Sequence, residues 1–147
     1  MLNIREIKPE DIKSCIEIFN ANAADMGDLY TEESLLAASK HHPYFVAEEG
    51  GQILGVIGVT DLENGIAMLI SLSVSPKAQG KGVGRQLVQK VKEYAEKENF
   101  RKVLLLTHEK NKKMMKLSID EDFIPEGSLK RHFKNGADVI YFSYFVK

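Results

Sequence analysis

The sequence predicts a mixed α/β domain with the element order β-α-α-β-β-β-α-β-α-β-β. The first observation is a set of short apolar runs between residues 44 and 74, separated by turns that contain glycine. The second is a helical spacing of apolar residues after residue 82, followed by an aliphatic run over residues 102–107 that is typical of a buried strand. The third is the length: 147 residues, 44% of them hydrophobic, suit a single domain over residues 1–147.

The N-terminal part is predicted to form a strand and two helices. Residues 2–7 alternate between apolar and polar side chains, as a half-buried strand does, and Pro9 then opens a helix. Thr31 is predicted to cap a second helix over residues 31–39. The segment around Gly27, between the two helices, is predicted to be a loop.

Three successive strands are predicted next. Residues 44–48 and 52–60 form a hairpin around a glycine turn at residues 49–51, and a second turn at residues 63–65 leads into a strand over residues 66–74. The remaining elements are a helix over residues 83–99, a strand over 102–107, a helix over 111–120, a turn over 123–127, and two strands within 128–145 that join at Asn135-Gly136.

Composition excludes several classes of protein. A formal net charge of -1 argues against a globally basic nucleic-acid binder. Cys15 is the single cysteine, so no disulfide forms within the chain, and the adjacent His41 and His42 have no evident third partner for a metal site. No apolar window approaches the roughly 18 residues of a membrane span. We therefore expect a cytoplasmic protein with no metal and with no nucleic-acid or membrane partner.

The charge is spread unevenly along the chain. Between residues 9 and 49 there are nine acidic residues against two lysines, whereas residues 77–92 carry five basic residues and no acidic one. Most of these side chains are expected to lie on solvated helix faces. The basic stretch, however, coincides with a glycine-rich loop.

That loop, residues 74–85 (VSPKAQGKGVGR), joins a predicted strand to a predicted helix through three alternating glycines. Glycine lets backbone N–H groups approach an anion, and the first helical turn adds further N–H groups and the positive end of the helix dipole. The sequence therefore predicts a phosphate-binding loop. The loop does not end in the Gly-Lys-Ser/Thr of nucleotide-binding P-loops, and Arg85 stands where a dinucleotide fingerprint needs its third glycine.

The remaining pattern, Gln79-x-x-Gly82-x-Gly84 after a strand, resembles the acetyl-CoA loop of the GNAT superfamily of N-acetyltransferases. The order of elements is similar to that family over nearly the whole chain. The resemblance implies a mostly antiparallel sheet of about seven strands, about four flanking helices, and a V-shaped gap between strands four and five.

In that family the acyl donor lies in this gap. The resemblance implies that backbone groups of Leu72, Ser73 and Val74 bind the pantetheine arm of acetyl-CoA. It further implies that the loop and the start of the helix bind the pyrophosphate through these residues: Gln79, Gly80, Lys81, Gly82, Val83, Gly84 and Arg85.

A second stretch, residues 111–123 (NKKMMKLSIDEDF), resembles the family element Asn-x-x-Ala-x-x-Leu-Tyr-x-x-x-Gly-Phe. Asn111 matches the family asparagine, and it is predicted either to cap its helix or to contact the cofactor. Ser118 stands where the family often has a tyrosine that protonates the departing thiolate, so Ser118, Tyr141, Tyr144 or water is considered for that role.

The acceptor amine must be uncharged to attack a thioester. Many family members place a glutamate on the fourth strand for this purpose, and Met68 stands at that position here. Asp61, Glu63 and His108 are the alternatives that could activate the amine through water.

The resemblance predicts an acetyl-CoA-dependent N-acetyltransferase that acts on a primary amine of a small molecule or protein, without a covalent enzyme intermediate. The region between residues 9 and 49 corresponds to the one that shapes the acceptor side in this family, so the resemblance implies that its acidic residues favour a cationic acceptor. The alternatives are an acyl-CoA-binding module with little or no catalysis, and a site for another phosphate ligand such as a nucleotide. The aromatic edge at residues 141–145 is compatible with a homodimer.

Overall fold

The structure is a computed structural model that describes residues 1–23 and 30–147. The predicted loop around Gly27 lies outside the described residues. The strands are β1 (Asn3–Glu6), β2 (Tyr44–Glu49), β3 (Gln52–Asp61), β4 (Ile66–Val74), β5 (Lys102–His108), β6 (Ile124–Leu129) and β7 (Val139–Phe145). The α-helices in the described ranges are α1 (Ile12–Ala21), α2 (Glu32–His41), α3 (Val83–Lys97) and α4 (Lys112–Asp120), and 3-10 turns precede α1 and α3 at Pro9–Asp11 and Pro76–Ala78.

The seven strands form one sheet in the order β1-β2-β3-β4-β5-β7-β6. The pairs β1–β2, β2–β3, β5–β7 and β6–β7 are antiparallel, whereas β4 and β5 run parallel. The parallel register runs from Ile66 opposite Lys102 to Met68 opposite Leu104, so it covers only the start of β4. The predicted mixed, mostly antiparallel sheet with flanking helices is confirmed.

Contacts between residues group into two compact units. The first contains Met1–Thr60 and Ile70–Val91, and the second contains Asp61–Leu69 and Lys92–Lys147. The expectation of a single domain over the whole chain stays a prediction.

In the first unit, α1 and α2 pack on one face of the sheet. Their apolar side chains meet alternate residues of β2 and β3 in a buried cluster of Ile12, Cys15, Phe19, Leu35, Tyr44, Val46 and Val56. Gly55 faces the other side, where a Cβ on it would lie 2.9 Å from Leu87 and 3.0 Å from Val83 of α3. Burial on both faces explains why β2 and β3 are almost continuously apolar.

Two local predictions about the helices are confirmed. The Thr31 hydroxyl accepts the backbone N–H of Ser34 at 3.1 Å and caps α2. Cys15 is fully buried on α1. Burial raises the pKa of its thiol to about 12, which makes it a packing residue.

The C-terminal hairpin differs from the prediction. Residues 123–127 were predicted as a turn, but β6 begins at Ile124, and the loop before β7 spans residues 130–138 rather than the two residues Asn135 and Gly136. Gly127 was part of the predicted turn, but the structure shows a different reason for a glycine at this position. A Cβ there would lie 2.8 Å from the hydroxyl oxygen of Tyr141, so the glycine makes room for a cross-strand ring.

Candidate acyl-donor site

The backbone of β4 is irregular near its end, at Ser71, where the hydroxyl groups of Ser71, Tyr30 and Tyr44 form a hydrogen-bonded chain. Ser71 has φ of +56°, a left-handed conformation that is unfavourable for a side chain other than glycine. Its Oγ lies 3.2 Å from the hydroxyl oxygen of Tyr30, which lies 3.1 Å from that of Tyr44. Burial, together with the hydrogen bond to Tyr30, raises the pKa of Tyr44. The Tyr30 hydroxyl thus connects Ser71, just before Leu72, to the buried Tyr44.

Two side-chain amides bind the last residue of β4. Asn22 Nδ2 donates to Ser73 Oγ at 2.7 Å and to the Val74 carbonyl at 2.9 Å. Gln79 Nε2 donates to the same carbonyl and to Asn22 Oδ1, both at 3.1 Å. The side chain of Gln79 thus ties the loop back to the strand. Sequence reasoning missed Asn22, and its position directly after α1 is the only sequence signal, since asparagine is common at helix ends.

The glycine loop itself leaves open space beside its backbone. Gly80 and Gly82 have φ of +79° and +83°, and a Cβ on either would meet no described atom within 4 Å. The Gly82 carbonyl accepts the N–H of Gln86 at 3.1 Å, so α3 begins immediately after Gly82. The first N–H groups of an α-helix, here those of Val83 and Gly84, have no acceptor within the helix. This combination suits a phosphate or pyrophosphate group.

A cleft of about 480 Å³ adjoins the loop within the first unit. Lys77, Lys81, Val83 and Gln86 form its wall on the loop side. The two lysines give this wall a positive charge, which favours an anionic ligand there. Glu49 also lines the cleft, and its Oε1 lies 3.4 Å from the N-terminal ammonium.

The candidates on α4 are engaged in helix structure. Asn111 Oδ1 accepts the N–H of Met114 at 3.1 Å, so Asn111 caps α4. Ser118 is fully buried, and its Oγ donates to the Met114 carbonyl at 2.7 Å. The Ser118 hydroxyl hydrogen therefore points along its own helix rather than toward a ligand.

Both ring nitrogens of His108 have neighbours. Nδ1 accepts the N–H of Lys110 at 3.1 Å, and Nε2 lies 3.4 Å from Asn135 Nδ2. The ring stacks on Phe133 with 5.0 Å between centroids. His108 therefore holds two loops of the second unit together.

The other predicted catalytic residues are turn or packing residues. Glu63 has φ of +68°, and its N–H donates to Asp61 Oδ1 at 2.7 Å, which closes the turn before β4. The Tyr141 ring packs over Gly127. The structure thus brings the predicted phosphate-binding residues together in the first unit, and it gives the catalytic candidates local structural partners in the second.

Within residues 1–23 and 30–147, no group of three or more histidine, cysteine, aspartate or glutamate side chains is placed to hold a metal ion. No helix in the same ranges is both long and apolar enough to cross a membrane.

The sequence matches the model of the acetyltransferase (GNAT) family over residues 11–118. A curated relative, N-acetyltransferase family 8 member 2 of Rattus norvegicus, is 32% identical over 89 residues, which are 57% of this chain. The match spans only 38% of the length of that relative.

Solved structures share the fold. An N-acetyltransferase from Staphylococcus aureus Mu50 has a TM-score of 0.89 at 23% identity, over 100% of this chain and 99% of that one. The protein yncA from Salmonella typhimurium, solved with its cofactor acetyl-CoA, has a TM-score of 0.90 at 20% identity, over 100% and 95% of the two chains.

Proposed function

Because the chain belongs to the GNAT acetyltransferase family, we propose that it transfers an acetyl group from acetyl-CoA directly to a primary amine of a small molecule or protein. The observation that carries the proposal is the loop in which Gly80 and Gly82 leave open space at the start of α3. Acetyl-CoA supplies the activated thioester.

In this proposal, the N–H groups from Gly80 to Gly84 hold the pyrophosphate, and the exposed Lys81 adds positive charge. A carbonyl oxygen has two lone pairs, and that of Val74 already accepts from Asn22 and Gln79. The backbone groups that remain for the pantetheine arm are therefore those of Leu72 and Ser73 and the N–H of Val74.

The proton of the acceptor amine would leave to water. Glu63 and His108 have the local structural roles described above, and Ser118 is buried and bonded to a carbonyl. Alignment of the two substrates is then the main source of catalysis. An α-amino group with a pKa near 7.8 is about one-seventh neutral at pH 7, whereas a lysine-like amine near 10.4 is neutral about once in 2,500 molecules, so an α-amino acceptor needs a base less.

A cationic acceptor remains part of the proposal on the strength of the acidic residues between 9 and 49. Three of them already have a partner, since Arg5 binds both Asp11 and Glu48 and the N-terminal ammonium lies 3.4 Å from Glu49 Oε1. The argument for a cationic acceptor therefore rests on the other carboxylates that the structure describes in that range, which are Glu10, Glu17, Glu32 and Glu33. The predicted cytoplasmic location, the absence of nucleic-acid and membrane partners, and the homodimer stay predictions.

An acyl-CoA-binding module with little or no catalysis is the second candidate. Two observations favour it: Met68 stands where many family members have a glutamate, and the Ser118 hydroxyl is bonded within α4.

An assay of thiol release from acetyl-CoA separates the two candidates. The amines tested are peptides with free N-termini, lysine peptides, polyamines and aminoglycosides. Turnover on one class supports the transferase and identifies its acceptor. Tight CoA binding with no thiol release on any amine selects the binding module. ATP that displaces CoA at equal concentration would contradict both.

The loop is tested by Gly82→Ala with Gly50→Ala as its matched control. Both glycines have positive φ and open space around an added Cβ, so both substitutions introduce a strain of about 1 kcal/mol. Only the methyl group at position 82 lies where the phosphate is proposed to approach. We expect CoA binding, measured by calorimetry, to weaken at least about tenfold in Gly82→Ala alone, which corresponds to about 1.4 kcal/mol. Equal affinities of the two variants would contradict the proposed phosphate site.

A further inference from the structure

Two loops of the second unit concentrate positive charge. They are residues 109–113, which form the turn after β5 and the first two residues of α4, and residues 130–138, between β6 and β7. Together they are called the basic loop pair. The pair contains six lysine and arginine side chains against two carboxylates, a formal charge of +4 with His132 neutral, in a chain whose net charge is -1. The basic residues are Lys110, Lys112, Lys113, Lys130, Arg131 and Lys134, and all six are exposed.

Specific contacts hold the two loops against each other. The N–H of Glu109 donates to the Asp138 carbonyl at 3.0 Å, and that of Asp138 donates to Glu109 Oε1 at 3.3 Å. His108, at the end of β5, stacks on Phe133 of the other loop. The two segments that carry the six cations therefore lie side by side.

The arrangement of this surface works against local stability. Lys112 and Lys113 occupy the first turn of α4, where the helix dipole favours acidic residues. Arg131 has φ of +51°, which its N–H bond of 2.9 Å to Asp138 Oδ1 maintains. Choices that oppose local stability are expected where function requires them.

Most of these charges are also uncompensated. Asp138 pairs with Lys130 at 3.0 Å. Lys110, Lys112, Lys113 and Lys134 form no ion pair with any residue in the described ranges. Four ammonium groups are thus available to a ligand.

We propose that the basic loop pair is a docking surface for an acidic segment of a partner protein. Nucleic acids are bound along extended positive grooves, usually with exposed aromatic rings on which bases stack. Here the positive charge is confined to two loops, the Phe133 ring is packed on His108, and the carboxylates of Glu109 and Asp138 lie among the lysines. The carboxylates of an acidic peptide are separate side chains, so they can avoid the carboxylates of Glu109 and Asp138. The continuous phosphate backbone of a nucleic acid avoids them less easily.

The test uses a fluorescein-labelled peptide of alternating glutamate and serine, with a glutamine-serine peptide as the neutral probe, and fluorescence anisotropy on the full chain without acetyl-CoA. The variant Lys112→Glu/Lys134→Glu reverses one charge in each loop. We expect the acidic peptide to bind the variant at least about tenfold more weakly, and to bind the wild type more weakly as salt shortens the Debye length. The control, Lys13→Glu/Lys40→Glu, makes the same charge change on exposed positions of α1 and α2 and is expected to bind like the wild type.

Thermal unfolding checks that the variants are folded. Lys112→Glu places an acidic residue in the first turn of α4, so we expect no loss of stability from that substitution. Equal binding of the acidic and neutral peptides, or equal weakening in the patch and control variants, would overturn the proposal. Single-stranded RNA of the same charge that binds more tightly than the peptide, through Lys112 and Lys134, would also overturn it and assign the surface to nucleic acid.

Discussion

At the scale of single residues, the most informative contact is that of Asn22 with the end of β4. Its Nδ2 donates to the Ser73 hydroxyl and to the carbonyl of the next residue, Val74. Its Oδ1 accepts a hydrogen bond from the Gln79 side-chain amide. Because the bonds to Ser73 and Val74 are partly buried, loss of the Asn22 amide leaves these two partners with an unmet hydrogen bond. One side chain thus couples α1, β4 and the glycine loop.

Replacement of Asn22 by alanine is therefore expected to affect both stability and ligand binding. Loss of its neutral hydrogen bonds with Ser73, Val74 and Gln79 lowers the free energy of unfolding by about 3 kcal/mol, at about 1 kcal/mol for each bond. CoA affinity falls because Gln79 loses one of its anchors. Urea unfolding and calorimetry measure the two effects. Asn20→Ala changes an exposed residue of the same helix and is expected to alter neither. An effect on stability with unchanged CoA affinity would show that Asn22 does not order the loop.

At the scale of elements, α4 shows how one residue can have two candidate roles. Asn111 was predicted either to cap this helix or to contact the cofactor, and its Oδ1 accepts the N–H of Met114. The helix has only nine residues and carries no acidic residue in its first turn. The cap therefore contributes a large share of the local stability of α4.

Asn111→Ala should lower the free energy of unfolding by about 1 kcal/mol, because it removes the cap acceptor. Asn111→Asp keeps an acceptor oxygen and adds a negative charge that the helix dipole favours, so it should keep the stability of the wild type or raise it. Urea unfolding at neutral pH measures both. Equal losses in the two variants would indicate that the amide nitrogen of Asn111, rather than its oxygen, is what matters.

At the scale of the whole molecule, ion pairs connect elements that are distant in sequence. Arg5 on β1 binds Glu48 on β2, and it binds Asp11 before α1 through two hydrogen bonds of 2.7 and 3.0 Å. Burial opposes ionisation of Asp11, but the bonds from Arg5 and from the N–H of Lys8 hold its pKa below the ordinary value. Ionised Asp11 therefore stabilises the fold.

This stabilisation has a defined pH dependence. Since the pKa of Asp11 is lower in the folded than in the unfolded chain, its contribution is fully present above the ordinary pKa near 3.9 and is lost as pH falls through the lowered value. We expect Asp11→Asn to reduce the free energy of unfolding by about 2 kcal/mol at pH 7, with the difference from wild type shrinking in acid. Glu10→Gln, on the exposed side of the same turn, should have little effect at either pH. A difference for Asp11→Asn that stays constant down to pH 2 would contradict the role of the ionised carboxylate.

The sequence by itself determined the order of elements, the parts of the sheet with alternating or continuous apolar runs, and the glycine loop before α3. These follow from local causes: side-chain periodicity, helix caps and the backbone freedom of glycine. The tertiary structure decided which polar groups are already engaged. Only packing shows that Asn22 reaches Val74, that His108 joins two loops, and that Gly127 serves the ring of Tyr141 rather than a turn. Such contacts join residues far apart in the chain, and their partners are set by how strands and helices pack, which no local pattern specifies.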